Sequence, residues 1–212
     1  MSPAPAPARR QPGLAGRRHW VFDMDGTLTV AVHDFNAIKA ALQIATHEDI
    51  LQHLAALPAA QQQAKRAWLF EHEQALAAAS VAAEGAVPLL RALHAAGCRL
   101  GILTRNDHAL ARQTLQAIGL HGMFSDADII GRDEAPPKPL PDGLHYFVQR
   151  WQVPAEEVVM VGDSLLDLQC GRAAGATTVL VNVAGDPWPG LADWRFDDCH
   201  GLQAAWRTPQ TM

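Results

Sequence analysis

Asp23 and Asp25, in the stretch Phe22-Asp23-Met24-Asp25-Gly26-Thr27, are the residues whose types and spacing point most directly to chemistry. They stand two apart at the end of a short apolar run. On a strand that spacing puts both side chains on one side. At a strand end it lets both reach one reaction centre. Gly26 permits a sharp departure of the chain. One carboxylate can attack phosphorus and carry an aspartyl-phosphate. The other can protonate the leaving oxygen and then take a proton from the hydrolytic water. Crowded carboxylates raise each other's pKa, which favours a protonated acid near neutral pH. Phosphate esters repel anionic nucleophiles, so the same chemistry needs positive charge on the phosphoryl oxygens.

Four further positions supply what such a site needs. Thr104 offers a hydroxyl, and the backbone amides after it, at Arg105 and Asn106, can donate to phosphate. Lys138 lies between Pro136-Pro137 and Pro139, a stiff mount for a cation that must act at a fixed point. Asp163 and Asp167 add two carboxylates. If all share one site, four carboxylates face one ammonium, and a phosphate dianion cannot enter unaided. A divalent cation is required, and an all-oxygen set selects Mg2+ over zinc. No His/Cys spacing competes for that role.

The elements that must position these residues alternate regularly. Apolar runs at 19–24, 99–104, 158–163 and 177–182 read as buried parallel strands, polar only at their C-terminal ends. A shorter candidate covers 128–131. Helical periodicity covers 87–96, 107–118, 140–151 and 165–174, with Gly97, Gly119 and Gly175 placed as C-terminal caps. Such alternation predicts a parallel sheet covered on both faces, with the ligand site beyond the C-terminal strand ends. Asp23, Asp25, Thr104 and Asp163 all fall there.

Residues 34–80 break the pattern. They contain no strand candidate and read as three helices, at 36–45, 47–57 and 59–79. A helical insertion directly after the first strand predicts a lid over the site; extra helices packed on the sheet are the plainer reading. Candidate substrate contacts are His33, Arg66, Glu71 and His72 from this side, and Arg132 from the other. Arg66 and Glu71 also read as a solvated helix face, and His33 and His72 as surface histidines. Trp68 and Leu69 are expected in the insertion's own core. The tail holding Trp188 and Trp194 is expected over the sheet edge, without chemistry.

Asp23-Met24-Asp25-Gly26-Thr27, the strand ending in Thr104-Arg105-Asn106, Lys138 in its proline-flanked segment, and Gly162-Asp163-Ser164-Leu165-Leu166-Asp167 resemble, in order, the four motifs of the haloacid dehalogenase superfamily. The resemblance runs from His19 to about Asp186. The insertion is similar to the α-helical cap of its phosphoglycolate phosphatase-like subgroup. The fold implied is α/β: a Rossmann-like three-layer parallel-sheet core, residues 19–33 and 81–212, carrying a small inserted α-helical cap domain, residues 34–80. The resemblance implies Asp23 as nucleophile and metal ligand, and Asp25 as acid/base and, through its carbonyl, a second ligand. It implies Thr104 and Lys138 as phosphoryl binders, Asp163 as third ligand, and Asp167 as support for the metal shell or Lys138. Gly162 belongs to the supporting motif, and Thr27 is expected to orient the Asp25 loop. Dehalogenases of the superfamily lack the second aspartate, so Asp25 points to phosphate. An imine-forming cap lysine has only Lys39 and Lys65 as candidates, neither in a recognisable pattern.

Bulk properties agree. The 212 residues are 49% hydrophobic and 18% charged, a globular composition. The net charge is −5 and no Lys/Arg cluster forms a stripe, which argues against nucleic acid. No apolar run is long enough to span a membrane. Three cysteines without CxxC spacing read as free thiols in a reducing compartment, hence a cytoplasmic protein, monomer or homodimer. Residues 1–18, rich in Pro, Ala and Arg, read as a flexible leader; Arg9, Arg10, Arg17 and Arg18 could alternatively form a basic arm. The expected function is Mg2+-dependent hydrolysis of a small phosphorylated metabolite, such as phosphoglycolate or a sugar phosphate. A phosphosugar mutase and a catalytically idle binding protein on the same fold stand as alternatives.

Overall fold

The computed structural model describes residues 13–32 and 34–208. Six parallel strands form one sheet in the order β3-β2-β1-β4-β5-β6. They are β1 His19–Phe22, β2 Arg99–Leu103, β3 Ile129–Ile130, β4 Val158–Gly162, β5 Thr177–Val181 and β6 Trp194–Phe196. The helices are α1 Phe35–Ala41, α2 Ile50–Ala55, α3 Ala59–Ala78, α4 Ala86–Ala95, α5 His108–Ala117, α6 Asp142–Trp151, α7 Leu165–Ala174 and α8 Cys199–Arg207.

The pleat sorts the strand residues into two cores. Trp20, Phe22, Ile102, Val159 and Val161 face one side, where Leu89, Leu90 and Leu93 of α4, Leu115 of α5 and Leu202 of α8 cover them. Val21, Leu103, Val158 and Met160 face the other, against Leu144, Phe147 and Trp151 of α6 and Cys170 of α7. Alternate residues point to opposite faces of a strand, so apolar runs of this kind demand two covering layers. The expected three-layer α/β architecture is what forms. Cys98, Cys170 and Cys199 are free and buried. Among the described residues, no helix is long and apolar enough to cross a membrane.

β1 lies centrally. Its successor β2 pairs on one side, and β4 pairs on the other, with Phe22 opposite Ile102 and Val161. The chain order therefore reverses between β1 and β4, and the crevice beyond their C-terminal ends is the expected ligand position.

Helices α1–α3 enter between β1 and α4. They carry a separate cluster of buried residues: Ile38, Leu42, Ile44, Leu54 and Leu69. The chain leaves and re-enters through a short paired ribbon. Thr29 bridges Ala82 antiparallel, Val30 N donates to Val81 O at 2.9 Å, and Ala83 N donates to Leu28 O at 2.9 Å. α3 also packs on α5 of the core.

Several expected boundaries move. The helix expected at 36–45 ends at Ala41, because Gln43 takes a positive φ of 55°. The helix expected from 47 starts at Ile50, where the Asp49 side chain accepts from Gln52 N as its cap. The leader expected over 1–18 is described from Gly13, and that part is packed: Leu14 is 1% exposed in the main core. Arg17 Nη1 lies 3.5 Å from Glu157, and Arg18 Nη2 donates to Ala96 O at 2.8 Å, so neither forms a free arm. Residues 1–12, with Arg9 and Arg10, and His33 lie outside the described residues. The tail expected over the sheet edge contributes a sixth strand, β6, paired to β5.

Candidate active site

The first apolar strand stops pairing at Phe22, and Asp23 emerges at its end with its N–H still held by Val161 O at 2.9 Å. The chain then turns tightly: Leu28 N and Thr29 N both donate to Met24 O, at 2.8 and 3.0 Å. Gly26 makes the turn possible, with φ of 91°. It also makes room: a Cβ there would lie 2.2 Å from Asp163 Oδ2. Asn182, at the end of β5, clamps the turn by donating from Nδ2 to Gly26 O and Thr27 O, at 2.8 and 3.0 Å.

Asp163 leaves β4 beside this turn. Thr27 Oγ1 lies 2.9 Å from Asp163 Oδ1 and 3.2 Å from Asp23 Oδ2, so one hydroxyl hydrogen serves one of the two carboxylates at a time. Thr27 was expected to orient the Asp25 loop; its hydroxyl also stands between the Asp23 and Asp163 carboxylates. Gly162 has no side chain because Asp167 fills that space, 2.3 Å from a would-be Cβ.

Lys138 reaches in from the segment before α6. Its Nζ donates to Asp23 Oδ1 at 2.5 Å and Asp167 Oδ1 at 2.6 Å. Asp167 is fully buried at the start of α7, and its Oδ2 accepts from Ser164 N and Oγ at 3.0 and 2.5 Å. Both its oxygens are engaged, which makes it the support of Lys138. Thr104 and Asn106 follow β2, both buried, with Asn106 N donating to Thr104 Oγ1 at 3.1 Å.

The electrostatics show a deficit of positive charge. Burial, with Asp167 and Asp163 adding, holds the Asp23 carboxyl well above the usual range, against the pull of Lys138. Burial, then Asp167, pushes Asp163 up to about 6, with the Thr27 hydrogen bond opposing. Burial lowers the Lys138 ammonium, but Asp167 and Asp23 outweigh it, and its pKa rises above the ordinary lysine range. Carboxylate oxygens of Asp23, Asp163 and Asp167 lie within 4.8 Å of one another. Three carboxylates against one ammonium leave two negative charges in a buried space, and that donor set fits a hard divalent cation. Asp23 and Asp163 are the side chains that would hold it.

A cavity of about 390 Å³ opens from this cluster toward the insertion, lined at its base by Asp23, Asp25, Thr104, Lys138 and Asp163. Arg105, Asn106 and Arg132 line it from the core. Arg132 Nη1 donates to both oxygens of Glu73, at 2.9 and 3.2 Å, and Arg105 Nη2 donates to Asp49 Oδ2 at 2.5 Å. Glu73 and Asp49 belong to the insertion and were not singled out from sequence. Burial raises Asp49, but hydrogen bonds from Arg105 and Gln52 N outweigh it and hold the carboxyl below its usual range.

Three expected contacts lie outside the cavity lining. Arg66 pairs with Asp133 at 3.2 Å, one turn before Leu69 on α3 and outside the cavity lining. His72 stacks on Trp68 with ring centroids 5.2 Å apart, also outside it; Glu71 is not in the lining either. Trp68 was expected in the insertion's core but is 38% exposed, whereas its neighbour Leu69 is buried. Successive helix positions differ by about 100°, and one stripe of α3 faces inward.

Residues 18–175 match the haloacid dehalogenase-like hydrolase family. A haloacid dehalogenase-like hydrolase domain-containing protein of Arabidopsis thaliana is 33% identical over 180 residues, which are 78% of this chain and 71% of that protein. A phosphoglycolate phosphatase of Rhodospirillum rubrum is 39% identical over 108 residues, 50% of this chain and 44% of that one; the match spans less than half of that relative. A solved hydrolase from Pseudomonas syringae superposes with a TM-score of 0.71 at 23% identity, covering 88% of this chain and 96% of that chain. That superposition concerns the fold.

Proposed function

The chain belongs to the haloacid dehalogenase-like hydrolases, and from that premise we propose that it is a Mg2+-dependent phosphatase acting on a small phosphomonoester. The observation that carries the reading is the cluster of buried Asp23, Lys138 and Asp167 with half-buried Asp163 at the floor of a cavity beyond the sheet's switch point. The phosphatase name of a relative supports it.

Asp23 forms the oxygen–phosphorus bond as the ester oxygen–phosphorus bond breaks, and Asp25 gives its proton to the departing alkoxide. Asp25 then takes a proton from water, whose oxygen bonds to phosphorus as the bond to Asp23 breaks. Lys138 holds the Asp23 carboxylate in place and faces the phosphoryl oxygens with Thr104. Asp167 and Ser164 keep the ammonium aimed. Asp163, with Asp23 and the Asp25 carbonyl, would hold Mg2+, which when bound supplies the charge that lets an anion approach these carboxylates. The helices α1–α3 act as a cap that closes the cavity to water and to bulky chains. Three buried thiols suit a reducing, cytoplasmic setting.

The purified protein is expected to hydrolyse p-nitrophenyl phosphate with Mg2+ and to stop with EDTA. Rates equal with and without EDTA would sink the metal-dependent reading.

Metal binding should also register in stability, with a defined pH dependence. The Asp163 carboxyl titrates near 3.9 unfolded and at about 6 folded, so the metal-free fold takes up a proton between those values. Its stability from this group therefore falls as pH rises from about 4 to 6. Mg2+ relieves that penalty. The Tm gain on adding Mg2+ in place of EDTA is expected to be larger at pH 7.5 than at pH 5. An equal gain at both would place the metal away from Asp163.

Gly26→Ala tests the turn. The added Cβ meets Asp163 Oδ2 at a positive φ, so both carboxylate position and backbone suffer. The expected cost is about 1–3 kcal/mol of stability and on the order of 10²-fold in kcat/KM. Thermal melts and steady-state kinetics read the two separately.

A further inference from the structure

We propose that Glu73 and Asp49 set the substrate class of the cavity: by pairing Arg132 and Arg105 they leave a leaving-group pocket that takes an uncharged alcohol and rejects a carboxylated one. This rests on the phosphatase reading above and deepens it.

The pocket's composition carries the argument. Beyond the phosphate end, the inserted helices line it with Phe35, Ile38, Ile50, Leu51 and Leu69. Two of its charged pairs span the junction. Arg132 and Glu73 are 9% and 12% exposed at the side chain, and one guanidinium nitrogen meets both carboxylate oxygens. Arg105 and Asp49 are 27% and 30% exposed, held at 2.5 Å. Among the described residues, the other lysine of the lining besides Lys138 is Lys39, whose ammonium donates to Thr46 O at 2.7 Å.

A carboxylate on the leaving group would enter an apolar space and lose its water. To gain a guanidinium it must displace Glu73 or Asp49, which breaks an ion pair that is largely out of water. An alcohol of the same size meets neither cost. Specificity of this kind works by leaving the wrong ligand unpaired.

Phosphoglycolate and 2-hydroxyethyl phosphate form the test pair, because they match in size and differ in the carboxylate. The wild-type enzyme with Mg2+ is expected to favour 2-hydroxyethyl phosphate by about tenfold or more in kcat/KM. Glu73→Gln removes the counter-charge of Arg132, and Asp49→Asn that of Arg105. In each variant the ratio of kcat/KM for phosphoglycolate over 2-hydroxyethyl phosphate should rise by about tenfold, carried by a lower KM for phosphoglycolate. The ratio is taken within one protein preparation, so a change in folded fraction cancels. Wild-type preference for phosphoglycolate, or a ratio unmoved in both variants, would overturn the proposal while leaving the phosphatase reading intact. If neither ester nor p-nitrophenyl phosphate is hydrolysed, the phosphatase reading fails and takes this proposal with it.

Discussion

Asp23→Asn is expected to lower phosphomonoester turnover by a factor on the order of 10⁴ or more while leaving the protein folded and at least as stable. Asparagine matches aspartate in shape, and its carbonyl can still accept from Lys138, which lies 2.5 Å from Asp23 Oδ1. It cannot carry an acyl phosphate, so covalent chemistry stops. Stability should hold for an electrostatic reason. The Asp23 carboxylate is buried beside Asp163 and Asp167, and those neighbours with burial hold its pKa well above the usual range. A neutral amide removes one of the two uncompensated charges. Steady-state kinetics and a thermal melt in EDTA read both halves. Acid-quenched wild-type enzyme should gain the mass of one phosphoryl group during turnover, and the variant should not. A variant retaining more than a few per cent of the rate would remove Asp23 as nucleophile.

Lys138→Met should damage stability and activity together. The ammonium is 3% exposed at the side chain and bridges Asp23 and Asp167 at 2.5 and 2.6 Å. Without it two buried carboxylates face each other with no cation between them. Breaking a buried pair in this way costs about 3–5 kcal/mol. The lost phosphate contact should take on the order of 10³-fold from kcat/KM. Urea denaturation and kinetics measure these. The double variant Lys138→Met/Asp167→Asn separates them: it should recover part of the stability and none of the activity. Recovery of both would mean that the lysine serves only the fold.

The residues that could be read from sequence are those whose role is local. α7 begins and ends where expected, at Leu165 and Ala174, because a Ser164 capping box opens it and Gly175 at φ of 80° closes it. The strands were legible as apolar runs, yet each expected run overshoots. Residues 24, 104, 163 and 182 lie just past the pairing, since hydrophobic pattern does not record where the ladder stops. Three of those four residues (Thr104, Asp163 and Asn182) belong to the site or its clamp, which is where leaving the ladder frees a side chain to meet a ligand. β6 escaped notice because its three residues, Trp194-Arg195-Phe196, are too short a run for their alternation to stand out.

The insertion's contribution was the least legible. Glu73 is recognisable only through Arg132, 59 positions away, and Asp49 only through Arg105, 56 away. α3 has two buried residues in twenty, so its periodicity does not say which stripe faces inward. Arg66 and His72 were plausible on chemistry and misplaced by that missing phase. Arg132 does line the cavity, because the segment after β3 sits at a strand end, where topology leads to the site.

The ribbon at Thr29 and Ala82 makes the enzyme separable into splice units. Exit and re-entry of the inserted helices sit side by side on paired strands, about 4.8 Å apart. Any replacement segment therefore needs only to span one strand spacing, which a two-residue turn achieves. A graft between Val30 and Val81 would exchange the inserted wall of the cavity, Asp49 and Glu73 included, in one cassette. The sheet would keep every pairing it has, and the phosphate end would keep its floor.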